Sequence, residues 1–107
     1  MKITNFGRTY NVLLETTQYY DRNFAIRLVC ENGEPYGNLT VNLGEPLPPY
    51  TAYVDTNNMP SAEQFIKDND LGTFTGKYKK SGYCTYPLYK FKEDLQWKHF
   101  TVQNLTQ

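Results

Sequence analysis

The dipeptide Asn32-Gly33 stands between two runs of alternating residues, and it constrains the fold more than any other feature of the chain. Upstream, Phe24, Ile26, Leu28 and Cys30 alternate with Ala25, Arg27 and Val29. Downstream, within Pro35 to Leu43, Leu39, Val41 and Leu43 alternate with Asn38, Thr40 and Asn42. A period of two sends successive side chains to opposite faces of a strand. Asn-Gly accepts the positive φ angles of a tight hairpin turn. The spacing therefore predicts two antiparallel strands joined at 32–33. A third strand is expected at Arg8 to Thr17, where Tyr10, Val12 and Leu14 alternate with Asn11, Leu13 and Glu15, followed by a polar turn at Gln18 to Asn23. Three strands with short connections make an antiparallel meander.

The rest of the chain is less regular. Gly44 to Pro49 (GEPLPP) ends the meander, because three prolines remove donors from any ladder. Tyr50 to Val54 reads as a short edge strand and Asp55 to Pro60 as a turn. A helix is expected at Ser61 to Asn69, opened by a capping box of Ser61 with Gln64. Met59, Ala62, Phe65 and Ile66 line its inner face, and Gly72 is placed to end it. Tyr83 to Phe91 alternates again, but Pro87 marks it as an edge or bulged strand. The segment Leu95 to Leu105, with Trp97, Phe100 and Val102, is expected to dock as a strand or an irregular tail. The predicted architecture is α+β: an antiparallel sheet, meander plus later edge strands, with one helix packed on one face. All 107 residues fit a single domain.

The chain has ten tyrosines, six phenylalanines and one tryptophan, so its core or interfaces must include hydroxyl-bearing rings. Apolar windows are too short for a membrane-spanning helix, and MKITNFGRTYNV lacks the apolar centre of a secretory signal. The expectation is a soluble, cytoplasmic protein with no membrane partner. Asn38-Leu39-Thr40 and Asn104-Leu105-Thr106 then match the glycosylation pattern by coincidence. Cys30 and Cys84 are too few for a disulfide framework and read as small buried residues.

Charge is strongly partitioned. Gly76 to Lys92 carries five lysines and no acid, whereas residues 31–70 carry seven acids and one lysine, in a chain of formal charge zero. Lys77, Lys79 and Lys80, with Tyr83, Tyr86 and Tyr89, are the candidate binding residues. Lysine supplies steering, and tyrosine is enriched at interfaces. The competing structural reading, which carries more weight, has the tyrosines closing a core while the lysines protect an edge strand from pairing. Nucleic-acid binding would place the lysines along phosphates and stack bases on the rings. The zero net charge and the lack of arginine in the segment argue against it.

Other chemistry is weakly represented. Asp55, Asn57 and Asn58 offer oxygens for a hard cation, but their spacing fits no standard loop, and such residues ahead of a helix usually bond the turn itself. Cys84 and His99 would need an orienting partner to act as a nucleophile pair, and nothing places them together. There is no zinc-ligand spacing and no phosphate-cradling glycine loop. Glu93-Asp94 and Asp68/Asp70 read as hydrophilic surface, and Leu47-Pro48-Pro49-Tyr50 only faintly matches a proline-rich ligand. No metal, cofactor or catalytic set is expected, and the chain reads as a non-enzyme.

Two blocks carry a resemblance. One is Tyr53-Val54-Asp55-Thr56-Asn57-Asn58, continuing through Pro60, Glu63, Phe65-Ile66 and Asn69 to Leu71-Gly72. The other is Ser81-Gly82-Tyr83-Cys84-Thr85-Tyr86-Pro87-Leu88-Tyr89-Lys90-Phe91. With Gly33-Glu34-Pro35-Tyr36 and Leu39 to Leu43, the chain resembles, over residues 24–91, an uncharacterised family of small bacterial and phage proteins found in mobile elements of gut bacteria. That resemblance implies a mobile-element setting and brings no activity, cofactor or site residue with it. The resulting expectation is a non-enzymatic protein-interaction module. An inhibitor of a host defence system is one form it would take. The alternative is a single-stranded nucleic-acid-binding protein using the same 76–92 segment. Partner identity and oligomeric state are not legible in the residues.

Overall fold

In a computed structural model, residues 1–95 are described. The expectations for Trp97, His99, Phe100 and Val102 lie outside the described residues.

The chain opens with a hairpin that the sequence pattern does not reveal. β1 (Lys2–Asn5) pairs antiparallel with β2 (Arg8–Gln18), from Lys2↔Asn11 to Asn5↔Arg8. Its turn is Phe6-Gly7, with φ of 54° and 78°, the double positive φ of a type I′ turn. Ile3 is the one apolar residue in β1, too little to display an alternation. β3 (Phe24–Cys30) then pairs with β2 from Val12↔Cys30 to Gln18↔Phe24, and β4 (Pro35–Asn38) pairs with β3. The meander is present, but its tight turn differs from expectation. The Cys30 N–H donates to the Glu34 carbonyl and the Gly33 N–H to the Cys30 carbonyl, so the loop holds three residues. Gly33 alone in this loop takes positive φ, at 91°, while Asn32 accepts the Glu34 N–H through its side chain.

The expected single strand Pro35 to Leu43 is divided at Leu39. Before it, β4 belongs to the first sheet; after it, β5 (Thr40–Val41) pairs with β6 (Thr51–Val54) in a second. Leu39 is fully buried and serves both: its N–H donates to Ile26, and its carbonyl accepts the Asp55 N–H. Thr40 continues the crossing, its Oγ1 accepting the Ile26 N–H and bonding the Tyr19 hydroxyl. Two four-stranded sheets result, β1-β2-β3-β4 and β5-β6-β8-β7, with β7 at Gly72–Ser81 and β8 at Cys84–Phe91. Together they form an incomplete roll around one core that includes Val12, Leu28, Leu39, Val54, Ile66 and Phe91.

One short helix, α1 (Ala62–Asp68), packs against β1 and β7, one outer strand of each sheet. The protein is therefore mainly β, and the expected helix-on-a-sheet-face α+β layer is corrected. Ala62, Phe65 and Ile66 are buried, as their spacing predicts. The capping box is absent. The Ser61 N–H and hydroxyl both donate to Oδ1 of Asn5 in β1, and Gln64 donates to Asp68. A remote side chain thus satisfies a donor at the helix start. Asp70, at φ 53°, takes the left-handed position after the helix in place of Gly72. Gly72 is required for another reason: a Cβ there would lie 2.6 Å from the Lys90 carbonyl oxygen.

The second sheet corrects two edge assignments. β6 is buried along its whole length, between β5 and β8. β8 is also interior, despite Pro87, and backbone alternation explains why. The Phe91 N–H donates to Tyr50 and the Lys92 N–H to Leu71, so odd positions of β8 face β6 and even ones face β7. Pro87 faces the β6 side one residue beyond the last β6 pair, Tyr53↔Leu88, where no donor is needed. β7 is an edge, and Lys77, Lys79 and Lys80 lie on this strand. Its pattern is hidden because the register shifts between Phe74 and Tyr78, around Gly76 at φ 88°.

Candidate interaction site

The last three-stranded pair at this end of the second sheet is Tyr53↔Leu88. Beyond it, β7 and β8 continue alone through Tyr78↔Pro87, Lys79↔Tyr86, Lys80↔Thr85 and Ser81↔Cys84. Gly82-Tyr83 closes this arm. Gly82, at φ 63°, takes the first turn position, where a two-residue hairpin favours glycine. Among the described residues no third strand covers this two-stranded arm, and its side chains divide by face.

On one face, Lys79 lies opposite Tyr86, and its Nζ is 2.9 Å from Oε2 of Glu45 in the proline-rich loop. The same carboxylate accepts the Tyr53 hydroxyl. The Lys79 hydrogen bond, followed by that of Tyr53, holds the Glu45 carboxyl below the usual range. Burial, reinforced by Glu45, pushes the Tyr53 phenol up to about 12. Tyr86 is half-buried, and a hydrogen bond with Cys84 followed by desolvation raises its phenol. This face of the arm is thus tied to the body of the protein.

Away from that anchor, the arm and its tip are open. Lys77 and Lys80 are exposed and have no ion pair among the described residues. Tyr83 is fully exposed at the turn. Tyr78, 61% exposed, and Phe74, 37% exposed, lie on the same stretch of β7 with ring centroids 5.1 Å apart. Both were missed by sequence reasoning because the register shift around Gly76 interrupts the strand between them. Phe74 also contacts Tyr89 at 5.7 Å, so the exposed pair rests on a buried ring.

Tyr89 must be removed from the candidate surface. It is 7% exposed and packs with Phe91, and its hydroxyl donates to Oε1 of Glu63 at 2.7 Å. Burial, then Glu63, raises its phenol well above the ordinary range. The six sequence candidates therefore separate. Lys77, Lys80 and Tyr83 share an accessible arm, Lys79 and Tyr86 belong to its anchored face, and Tyr89 is core.

The weaker candidates also have definite places. Asp55 is buried and accepts from the Asn58 backbone and side chain, so it organises the turn ahead of α1. Cys30 and Cys84 are unpaired and half-buried rather than buried. Among the described residues, no group of three or more His, Cys, Asp or Glu is arranged to hold a metal ion. No helix among them is long and apolar enough to cross a membrane.

The sequence profile described as "Domain of unknown function (DUF4313)" matches residues 13–106. The chain belongs to that family. The match is wider than the 24–91 resemblance and takes in β2 from its middle and the whole β7–β8 arm. No curated protein and no solved structure matches the chain.

Proposed function

We propose that this protein is a non-enzymatic interaction module that docks on another protein through the tip and the exposed side chains of the β7–β8 arm. The observation that carries the reading is the combination there of two exposed cations without an ion pair among the described residues, Lys77 and Lys80, with the exposed rings of Tyr78 and Tyr83. Rings give contact area at low entropic cost, and lysines at the rim steer an acidic partner. Lys79 is a poor recognition residue because Glu45 already neutralises it. In the mobile-element setting implied by the sequence resemblance, the partner would be a cytoplasmic host protein, and inhibition of a defence system is one form of the activity.

The test is capture of host proteins by the wild-type chain and by Lys77→Glu/Lys80→Glu and Tyr78→Ala/Tyr83→Ala variants. The reading expects a partner lost with both double variants and kept when Lys79 alone is changed to Gln. Partners retained by both double variants would end it. A fluorescent single-stranded oligonucleotide, titrated across a salt series, examines the alternative directly. Tight binding that falls steeply with salt would replace the protein-docking reading with a nucleic-acid one.

A further inference from the structure

In the first sheet, β2 has an edge that β1 leaves open among the described residues. The pairing with β1 stops at Val12, whose N–H and carbonyl exchange bonds with Met1 at 2.7 and 3.1 Å. Alternation along the strand turns the N–H and carbonyl groups of Leu14, Thr16 and Gln18 to the same side. No described strand lies there. Beside this edge runs a groove of about 850 Å³ whose walls include Thr16, Tyr20, Arg22, Phe24, Leu47 and Tyr50. This volume is within the ordinary range for a ligand site.

Three features specify what the groove takes. First, the edge, unpaired among the described residues, offers three donors and three acceptors in strand geometry, which only another extended backbone can match. Second, Thr16 Oγ1 is buried without a hydrogen-bond partner among the described residues, the one such side-chain atom found there. Buried polar atoms of this kind ordinarily have partners. Third, Arg22 is the single charged residue of the lining; it is exposed and has no ion pair among the described residues. The walls are also fixed in advance. The buried Asn23 side chain donates to the Glu45 carbonyl and to Asn42, and accepts the Leu47 N–H, which pins the β2–β3 turn to the proline-rich loop. A preformed groove avoids the ordering cost that weakens flexible sites.

We propose that the open edge of β2 and this groove form a second docking surface, which takes an extended segment of a partner protein. The segment adds a strand beside Leu14–Gln18, places an apolar or aromatic side chain against Phe24, Leu47 and Tyr50, and brings a carboxylate to Arg22. This surface shares no binding residue with the β7–β8 arm, so each assignment is tested by its own variants.

The experiment uses the full chain and two synthetic ten-residue peptides of alternating threonine and valine or tyrosine. One ends in two aspartates and the other in two lysines. Hydrogen exchange is followed at the amides of Leu14, Thr16 and Gln18. The expected result is fast exchange in the free protein, slowed about tenfold or more by the aspartate peptide and not by the lysine peptide. Arg22→Glu, an exposed change that leaves folding intact, should reverse that preference. Three results would overturn the proposal. One is protection of these amides in the free monomer, which would mean that the chain's own residues cover the edge. Another is protection that rises with protein concentration, which would assign the edge to a second copy of the chain. The third is no protection by the aspartate peptide at millimolar concentration.

Discussion

The two halves of the β7–β8 pair have the same kind of sequence and opposite fates. From Leu88 to Phe91, β8 has neighbours on both sides, and Tyr89 and Phe91 pack into the core. From Cys84 to Pro87 it has β7 alone, and the arm ends in an exposed tyrosine. Both halves contain tyrosine and lysine, so composition does not separate them. What separates them is where β6 stops. A third strand converts a ring from a surface group into a core group, and its absence leaves the same residue type available to a partner.

That contrast is open to direct attack. The largest effect should come from Tyr89→Ala in the covered half. It removes a buried ring and strands the Glu63 partner, and should cost about 3–5 kcal/mol in urea unfolding. A loss comparable to that of a surface substitution would show that the proximal half is not core. Gly72→Ala comes next. Its Cβ would meet backbone rather than a movable side chain, so the root of the pair must shift, at a cost of about 1–3 kcal/mol. If this variant melts with the wild type, the close approach of β7 to Lys90 is wrong.

A third prediction concerns pH. Tyr53 faces Glu45, and its phenol is pushed up to about 12, against about 10 in an unfolded chain. The folded state therefore holds this proton more tightly. Its contribution is intact below pH 10 and is lost as pH rises from 10 through 12. Tyr53→Phe, which has no proton to lose, should show a shallower decline of stability across that window. An unchanged alkaline slope would separate the anchored face of the arm from Glu45. The smallest effect is expected at the tip: Tyr83→Ala should leave the melting temperature unmoved while weakening partner capture. A marked drop in melting temperature would make Tyr83 structural and break the comparison from the other side.

The sequence made some of this legible. Period-two alternation located β2 and β3, and the positions of Ala62, Phe65 and Ile66 gave the inner face of α1, because those signals depend on residues close in the chain. The failures share a different cause. β6 and β8 read as edges in the sequence because burial on a second face is decided by neighbours distant in the chain. β7 stayed hidden because the shift around Gly76 breaks its period. The helix start depends on Asn5, 56 residues away, so Ser61 and Gln64 look like a local cap and are not one. For the site, lysine spacing marked the right strand. It did not separate Lys79, tied to Glu45, from Lys77 and Lys80, nor could it mark Tyr78 as exposed.

Leu39 has a consequence for how the chain tolerates being cut or extended. One residue joins the hydrogen-bond ladders of both sheets, so neither sheet can slide by a residue without forcing the other to move. New chain ends or an inserted segment between Leu39 and Thr40 would release both ladders at once and should abolish folding. The loop at Asn32-Gly33, only a few residues upstream and exposed, touches one ladder and should accept an insertion. For anyone building a sensor or a split version of this protein, the seam lies at 32–33, and residue 39 is the rivet.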